Sequence, residues 1–209
     1  MARSVFTLSP GSLPSPEVRR ERGPLAEIVP RGRVVELSGE VPQGRLTLAA
    51  RFVAHTQREG ELAAWVQPRD GGLFPPDLAR VGVDLDALMV IHTPREHGPN
   101  AVARAAELLL RSGGFGLVAL DLTLAMPRGE PWIQRLGALA RRHGTRVLLL
   151  TSQRAEHSSA GALVALRVEL QRSLTAGLYT LAPSFLRDRC DLAHAALPTR
   201  HCAPWESVP

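Results

Sequence analysis

The stretch Val34-Val35-Glu36-Leu37-Ser38-Gly39-Glu40-Val41-Pro42-Gln43-Gly44-Arg45-Leu46 decides the fold class. It opens on a short apolar run, the β-branched Val34 and Val35 with Leu37, bounded by Gly39, which reads as a strand. It closes on the start of a segment, Leu46 to Glu59, that carries Leu46, Ala49, Ala50, Val53 and Ala54 at helical spacing. Gly60 stops that helix. A strand, a glycine-bounded turn and a helix in immediate succession open an α/β domain.

The pattern continues downstream. Leu62 to Val66 reads as a second strand, and Gly71-Gly72 with Pro75-Pro76 mark a turn before a short helix from Pro76 through Arg80. Leu88 to His92 is a third strand. Asn100 to Arg111 is an amphipathic helix with Val102, Ala105, Ala106 and Leu109 on one face, stopped by Ser112-Gly113-Gly114. Phe115 to Leu120 is wholly apolar and ends at Asp121, as suits a strand covered on both faces. Pro131 to His143 is a helix closed by Gly144, and Arg146 to Leu150 is another buried-type strand. Ala162 to Leu170 and Leu178 to Leu181 flank a turn at Thr175-Ala176-Gly177 with no helix between them, which predicts an antiparallel pair. The expected fold is α/β: a three-layer αβα core with a mostly parallel sheet and a C-terminal antiparallel extension.

Residues 1–31 are rich in Pro, Ser, Gly and charge, and predict a flexible arm with one helical turn around Glu17 to Glu21. The core is expected over 32–182. Residues 183–209 predict a tail with a short helix from Ser184 to Ala196.

The whole composition narrows the function classes. At 209 residues the chain suits one domain. All 25 basic residues are Arg, and the net charge is +5, which favours acidic partners or a nucleic-acid backbone. The Arg residues are scattered, as on a solvated face. The densest groups are Arg19, Arg20, Arg22, Arg31 and Arg33, and Arg135, Arg141, Arg142 and Arg146. Met1 to Pro14 lacks a continuous apolar stretch and no run reaches membrane-span length, so a cytoplasmic protein with reduced thiols is expected. Cys190, His194, His201 and Cys202 fit zinc spacing poorly, because two of them are adjacent. The seven His residues show no metal spacing, and no G-x-S-x-G motif is present. His55 stands near a helix end, where exposure or capping is the expected role.

Gly39-Glu40-Val41-Pro42-Gln43-Gly44-Arg45-Leu46 has the place and glycine spacing of a P-loop, G-x-x-x-x-G-K-[ST]. In a P-loop the glycines let the backbone wrap phosphate, the Lys reaches the β and γ phosphates and the hydroxyl ligates Mg²⁺. Here Arg45 replaces the Lys. Leu46 replaces the hydroxyl residue and is expected to pack into the site. Thr47 is one position too late. Asp121, ending its apolar strand, is the candidate Walker B carboxylate.

Three segments, Gly32 to Gly39, Val81 to Leu88 and Arg111 to Phe115, resemble the RecA ATPase core in the right order. The resemblance covers roughly Gly32 to Arg172 and implies a RecA-like core. RecA proteins carry a catalytic Glu after the second strand. Gln67-Pro68-Arg69-Asp70 stands there, with Asp70 the one candidate substitute. Where RecA has two mobile DNA-gripping loops, this sequence has the short stretches Leu122 to Glu130 and Ser152 to Gly161. RecA's large C-terminal domain is not matched. The vestigial nucleotide site is therefore Gly39, Gly44, Arg45, Leu46 and Asp121, with no cofactor and no ATPase activity expected.

The pattern resembles the degenerate RecA-like ImuA group, and Gly72 to Ala79 looks especially like it. That resemblance implies an accessory role in SOS-induced translesion mutagenesis. The implied partners are RecA recombinase and an ImuB-type Y-family polymerase-like protein. Arg187, Arg189 and Trp205 are the tail candidates for partner binding. Direct DNA binding is expected to be weak or absent, no membrane partner is expected, and self-association stays open. Two alternatives remain: a SulA-like cell-division inhibitor that binds FtsZ, and a residual ATP- or single-stranded-DNA-binding RecA paralogue using Arg45 and Asp121.

Overall fold

The computed structural model describes residues 29–40, 44–175, 178–190 and 199–202. The first strand, β1 (Val34–Ser38), feeds helix α1 (Arg45–Arg58). Strand β2 (Leu62–Pro68), the short helix α2 (Pro75–Arg80) and strand β3 (Leu88–Thr93) follow. Helix α3 (Gly98–Ser112) leads to β4 (Phe115–Leu122), and α4 (Pro131–His143) to β5 (Arg146–Thr151). Strands β6 (Val164–Thr175), β7 (Leu178–Asp188) and β8 (Thr199–Cys202) end the series.

These strands form one sheet in the order β3-β2-β4-β5-β1-β6-β7-β8. Pairing is parallel from β3 across to β6, and antiparallel for β6–β7 and β7–β8. The expected mostly parallel sheet with an antiparallel extension is the observed one. No helix among the described residues is long and apolar enough to cross a membrane.

Period-two alternation sorts the strand side chains onto two faces. Val35, Leu37, Trp65, Leu117, Ala119, Leu148, Leu150, Leu166 and Val168 pack with Leu48, Phe52 and Val53 of α1 and Leu78 of α2. Val34, Val66, Val118, Leu120, Val147 and Leu149 pack with Val102, Ala106 and Leu110 of α3 and Trp132, Ile133 and Leu136 of α4. The helices supply their apolar stripes at three- and four-residue spacing, so each covers one sheet face and leaves its polar side to water. The central strands β4 and β5 are covered on both faces, which is why their sequences are continuous apolar runs.

One expectation is corrected. Residues 184–188 are not helical: β7 continues through Asp188, past the expected core boundary at 182. Phe185 pairs with Val168 and packs on the α1-side core. Partnership with β6 overrides the local sequence, whose proline at Pro183 is accommodated in the ladder. Residues 191–198 lie outside the described residues, as do Glu17 to Glu21.

Candidate functional site at the carboxyl edge of the sheet

Parallel strands place their carboxyl ends along one edge, where ligands of open α/β sheets bind. The chain leaves β1 towards β2 and comes back through β4 and β5. The order β4-β5-β1 therefore gathers Asp121, Thr151, Gly39 and Gly44 in one place. Gly39 and Gly44 both hold positive φ, 118° and 83°, a conformation that side chains resist. The sequence spacing of the two glycines thus corresponds to two real backbone requirements.

Arg45, at the first position of α1, turns inward and is 5% exposed. Its Nη1 donates to the carbonyl oxygens of Gly39 and, at 2.9 Å, of Thr151. Burial pushes its pKa below the ordinary guanidinium range, and the charge of Asp121 opposes that fall. Asp121 is 2% exposed, and its Oδ1 accepts from Thr123 N at 3.0 Å and Thr123 Oγ1 at 2.6 Å. The structure thus brings together Gly39, Gly44, Arg45 and Asp121.

Leu46 departs from expectation. It does not pack into the site but is 37% exposed. A helix turns about 100° per residue, so burying Arg45 swings Leu46 outward.

Sequence reading missed a second polar cluster beside this site. Glu36, Ser38 and Arg167 are buried on the α3–α4 side of β1 and β6. Glu36 Oε1 accepts from Thr151 Oγ1 at 2.8 Å. Its Oε2 accepts from Ser159 Oγ at 2.7 Å and Ala160 N at 3.0 Å. Arg167 Nε lies 3.7 Å from Glu36 Oε1 and donates to Ser38 Oγ at 3.2 Å. Its two remaining nitrogens donate to the carbonyls of His157, Arg154 and Gln153. Gly39 N donates to Gln153 O at 2.9 Å, and Arg154 pairs with Glu40. The segment after β5 is thereby tied to the end of β1. The signal available was a charge inside an apolar strand run, Glu36 between Val35 and Leu37 and Arg167 between Leu166 and Val168.

The tail candidates fall elsewhere. Arg187 donates to Gly161 O and Arg189 to Ala162 O, each at 2.8 Å, so both brace the far end of the same segment. Trp205 lies outside the described residues, as does His194. Asp70, the candidate substitute for the catalytic Glu, holds Arg95 through two hydrogen bonds of 2.9 and 2.5 Å. That contact draws its carboxyl below the usual range. His55 lies 3.5 Å from Glu59 at the end of α1.

The model of the RecA N-terminal domain matches residues 18–139, from before β1 through most of α4. The chain belongs to this family. RecA of Leifsonia xyli subsp. xyli is 38% identical over 104 residues, which cover 49% of this chain and 28% of that protein. RecA of Nocardioides sp. is 39% identical over 103 residues, 48% of this chain and 28% of that protein. RecA of Mycobacteroides abscessus is 37% identical over 103 residues, 49% and 29% respectively. The chain spans less than a third of the length of these curated relatives. Within the RecA-family match lie both glycines of the turn, Arg45 and Asp121. The Glu36–Arg167 cluster straddles its end.

Proposed function

We propose that this RecA-family chain is a non-catalytic accessory protein of SOS-induced translesion mutagenesis, which binds and modulates RecA and an ImuB-type polymerase-like partner. The observation that carries the non-catalytic part is the inward turn of Arg45. A nucleotide-binding turn of this kind needs a cation facing phosphate and a hydroxyl facing Mg²⁺. Arg45 instead spends Nη1 on two backbone carbonyls, and Leu46 offers no oxygen. Asp121 is already engaged by Thr123. The residues present do not fit a magnesium-bound nucleotide.

The accessory role rests on the likeness of Gly72 to Ala79 to the ImuA group and on membership of the RecA family. A protein that keeps the RecA-type core without its nucleotide chemistry retains surfaces by which that core meets other proteins. The test is a pull-down of purified RecA and an ImuB-type protein on this chain, with and without ATP. Binding that is the same in both conditions supports the reading. Capture that requires ATP, or a failure to capture either protein, overturns it. Parallel capture of FtsZ would instead favour a SulA-like inhibitor.

A further inference from the structure

A cleft of about 460 Å³ opens at the carboxyl ends of β2 and β3, lined by Arg69, His92, Thr93 and Pro94. It stands at the opposite side of the sheet from the β1–β6 cluster. Arg69 is exposed and has no acidic partner among the described residues, because the neighbouring Asp70 carboxylate is held by Arg95. Behind the cleft lies Gln67, 2% exposed, with Nε2 3.4 Å from His92 Nδ1. The contact ties the Nδ1 edge of the ring to the buried amide, with donor and acceptor set by the tautomer. Gln67 Oε1 has no hydrogen-bond partner, an uncommon state for a buried amide.

Among the described residues the lining therefore offers a guanidinium and an imidazole and no carboxylate. Such a set receives anions, and a planar fork suits a carboxylate above all. The volume far exceeds that of a bare ion and is in the range of sites that hold an organic group of several residues' size. Among the described residues no Phe, Tyr or Trp lines it, so it lacks the large stacking faces with which single-stranded nucleic acid is usually held. We propose that this cleft binds an acidic segment of a partner protein, with an Asp or Glu carboxylate seated on Arg69 and His92. Gln67 acts as a positioning residue that fixes the His92 ring. The inference deepens the accessory reading by naming the chemistry of one partner contact.

The test uses the full chain and a fluorescein-labelled hexaglutamate peptide, with neither RecA nor a polymerase present, so its failure is separable from that of the accessory reading. Arg69→Glu is expected to weaken peptide binding about tenfold or more, as loss of a charge-assisted fork does. Arg141→Glu makes the same charge change on α4 and is expected to leave binding within about twofold. In NMR spectra the His92 ring and the Gln67 side-chain amide should shift on addition of peptide. Equal weakening by both substitutions, or unmoved His92 and Gln67 signals, would mean general charge attraction and overturn the proposal. Oligo-dT moving these same signals while hexaglutamate does not would overturn it in favour of nucleic acid.

Discussion

The segment after β5 and the segments after β2 and β3 leave the same edge of one sheet, yet their polar groups point in opposite directions. Around the segment after β5, Glu36 of β1, Arg167 of β6 and Arg45 of α1 face inward and are bonded on nearly every side by backbone and hydroxyl groups. After β2 and β3, Arg69 and His92 face outward, and the Asp70–Arg95 pair is exposed. Strand position explains the contrast. β1 sits between β5 and β6, so a charge there must find partners within the protein or stay costly. β3 is the edge strand, so charges beside it are free to meet water or a ligand. The sheet thus has a locked side and an open side, and the open side offers Arg69 and His92 to another molecule.

The largest effect should come from breaking the locked side. Glu36→Leu strands Arg167 as a buried uncompensated charge and is expected to cost about 3–5 kcal/mol, read as a lower urea midpoint. Glu36→Leu combined with Arg167→Leu should recover most of that loss. A single variant as stable as the parent would end the distinction between the two sides.

Arg45→Ala leaves the Gly39 and Thr151 carbonyls without their shared donor, for a loss of about 1–3 kcal/mol in the same denaturation experiment. If Arg45 is structural, ATP with magnesium should raise the melting temperature of neither the parent nor Arg45→Lys. A clear rise for the parent would reopen the nucleotide site.

The amino edge supplies a pH test. Burial raises the Glu59 carboxyl, but the hydrogen bond and charge of Arg146 outweigh it, with His55 and Arg31 adding to the fall. The folded pKa therefore lies below the unfolded one. Its stabilising contribution is complete above the ordinary carboxylate range and is lost as pH falls through the folded value. Glu59→Gln should lower stability at neutral pH and make stability less dependent on pH across the acid range. An unchanged acid limb would show that Glu59 is not what titrates there.

The smallest effect belongs to the open side. Asp70→Ala removes a pair that is exposed at both ends, and the melting temperature should stay within error of the parent. A large drop there would mean that the open side is also braced, and the comparison would need redrawing.

Most of the fold was legible before the structure. The two glycines at 39 and 44, the helix stops at Gly113 and Gly144 and the apolar runs of β4 and β5 stand where their residues place them. Residues 184–188 did not read as strand, because their conformation comes from β6 and not from their own pattern. The candidate site was legible in part. Gly39, Gly44, Arg45 and Asp121 converge, whereas Leu46 points away. Arg187 and Arg189 brace residues 161 and 162 through their guanidinium groups.

The sequence by itself determined the order of strands and helices, the face each buries and the loss of a hydroxyl at position 46. These depend on local periodicity and on single residue identities, which need no knowledge of neighbours. Tertiary structure alone decided which way Arg45 points, what satisfies Glu36 and Arg167 and which edge of the sheet stays open. Glu36 finds Thr151 and Ser159 115 and 123 residues away, and Arg167 finds Ser38 129 residues away. A buried polar group takes its character from the partners that strand order delivers to it, and strand order is a property of the assembled sheet.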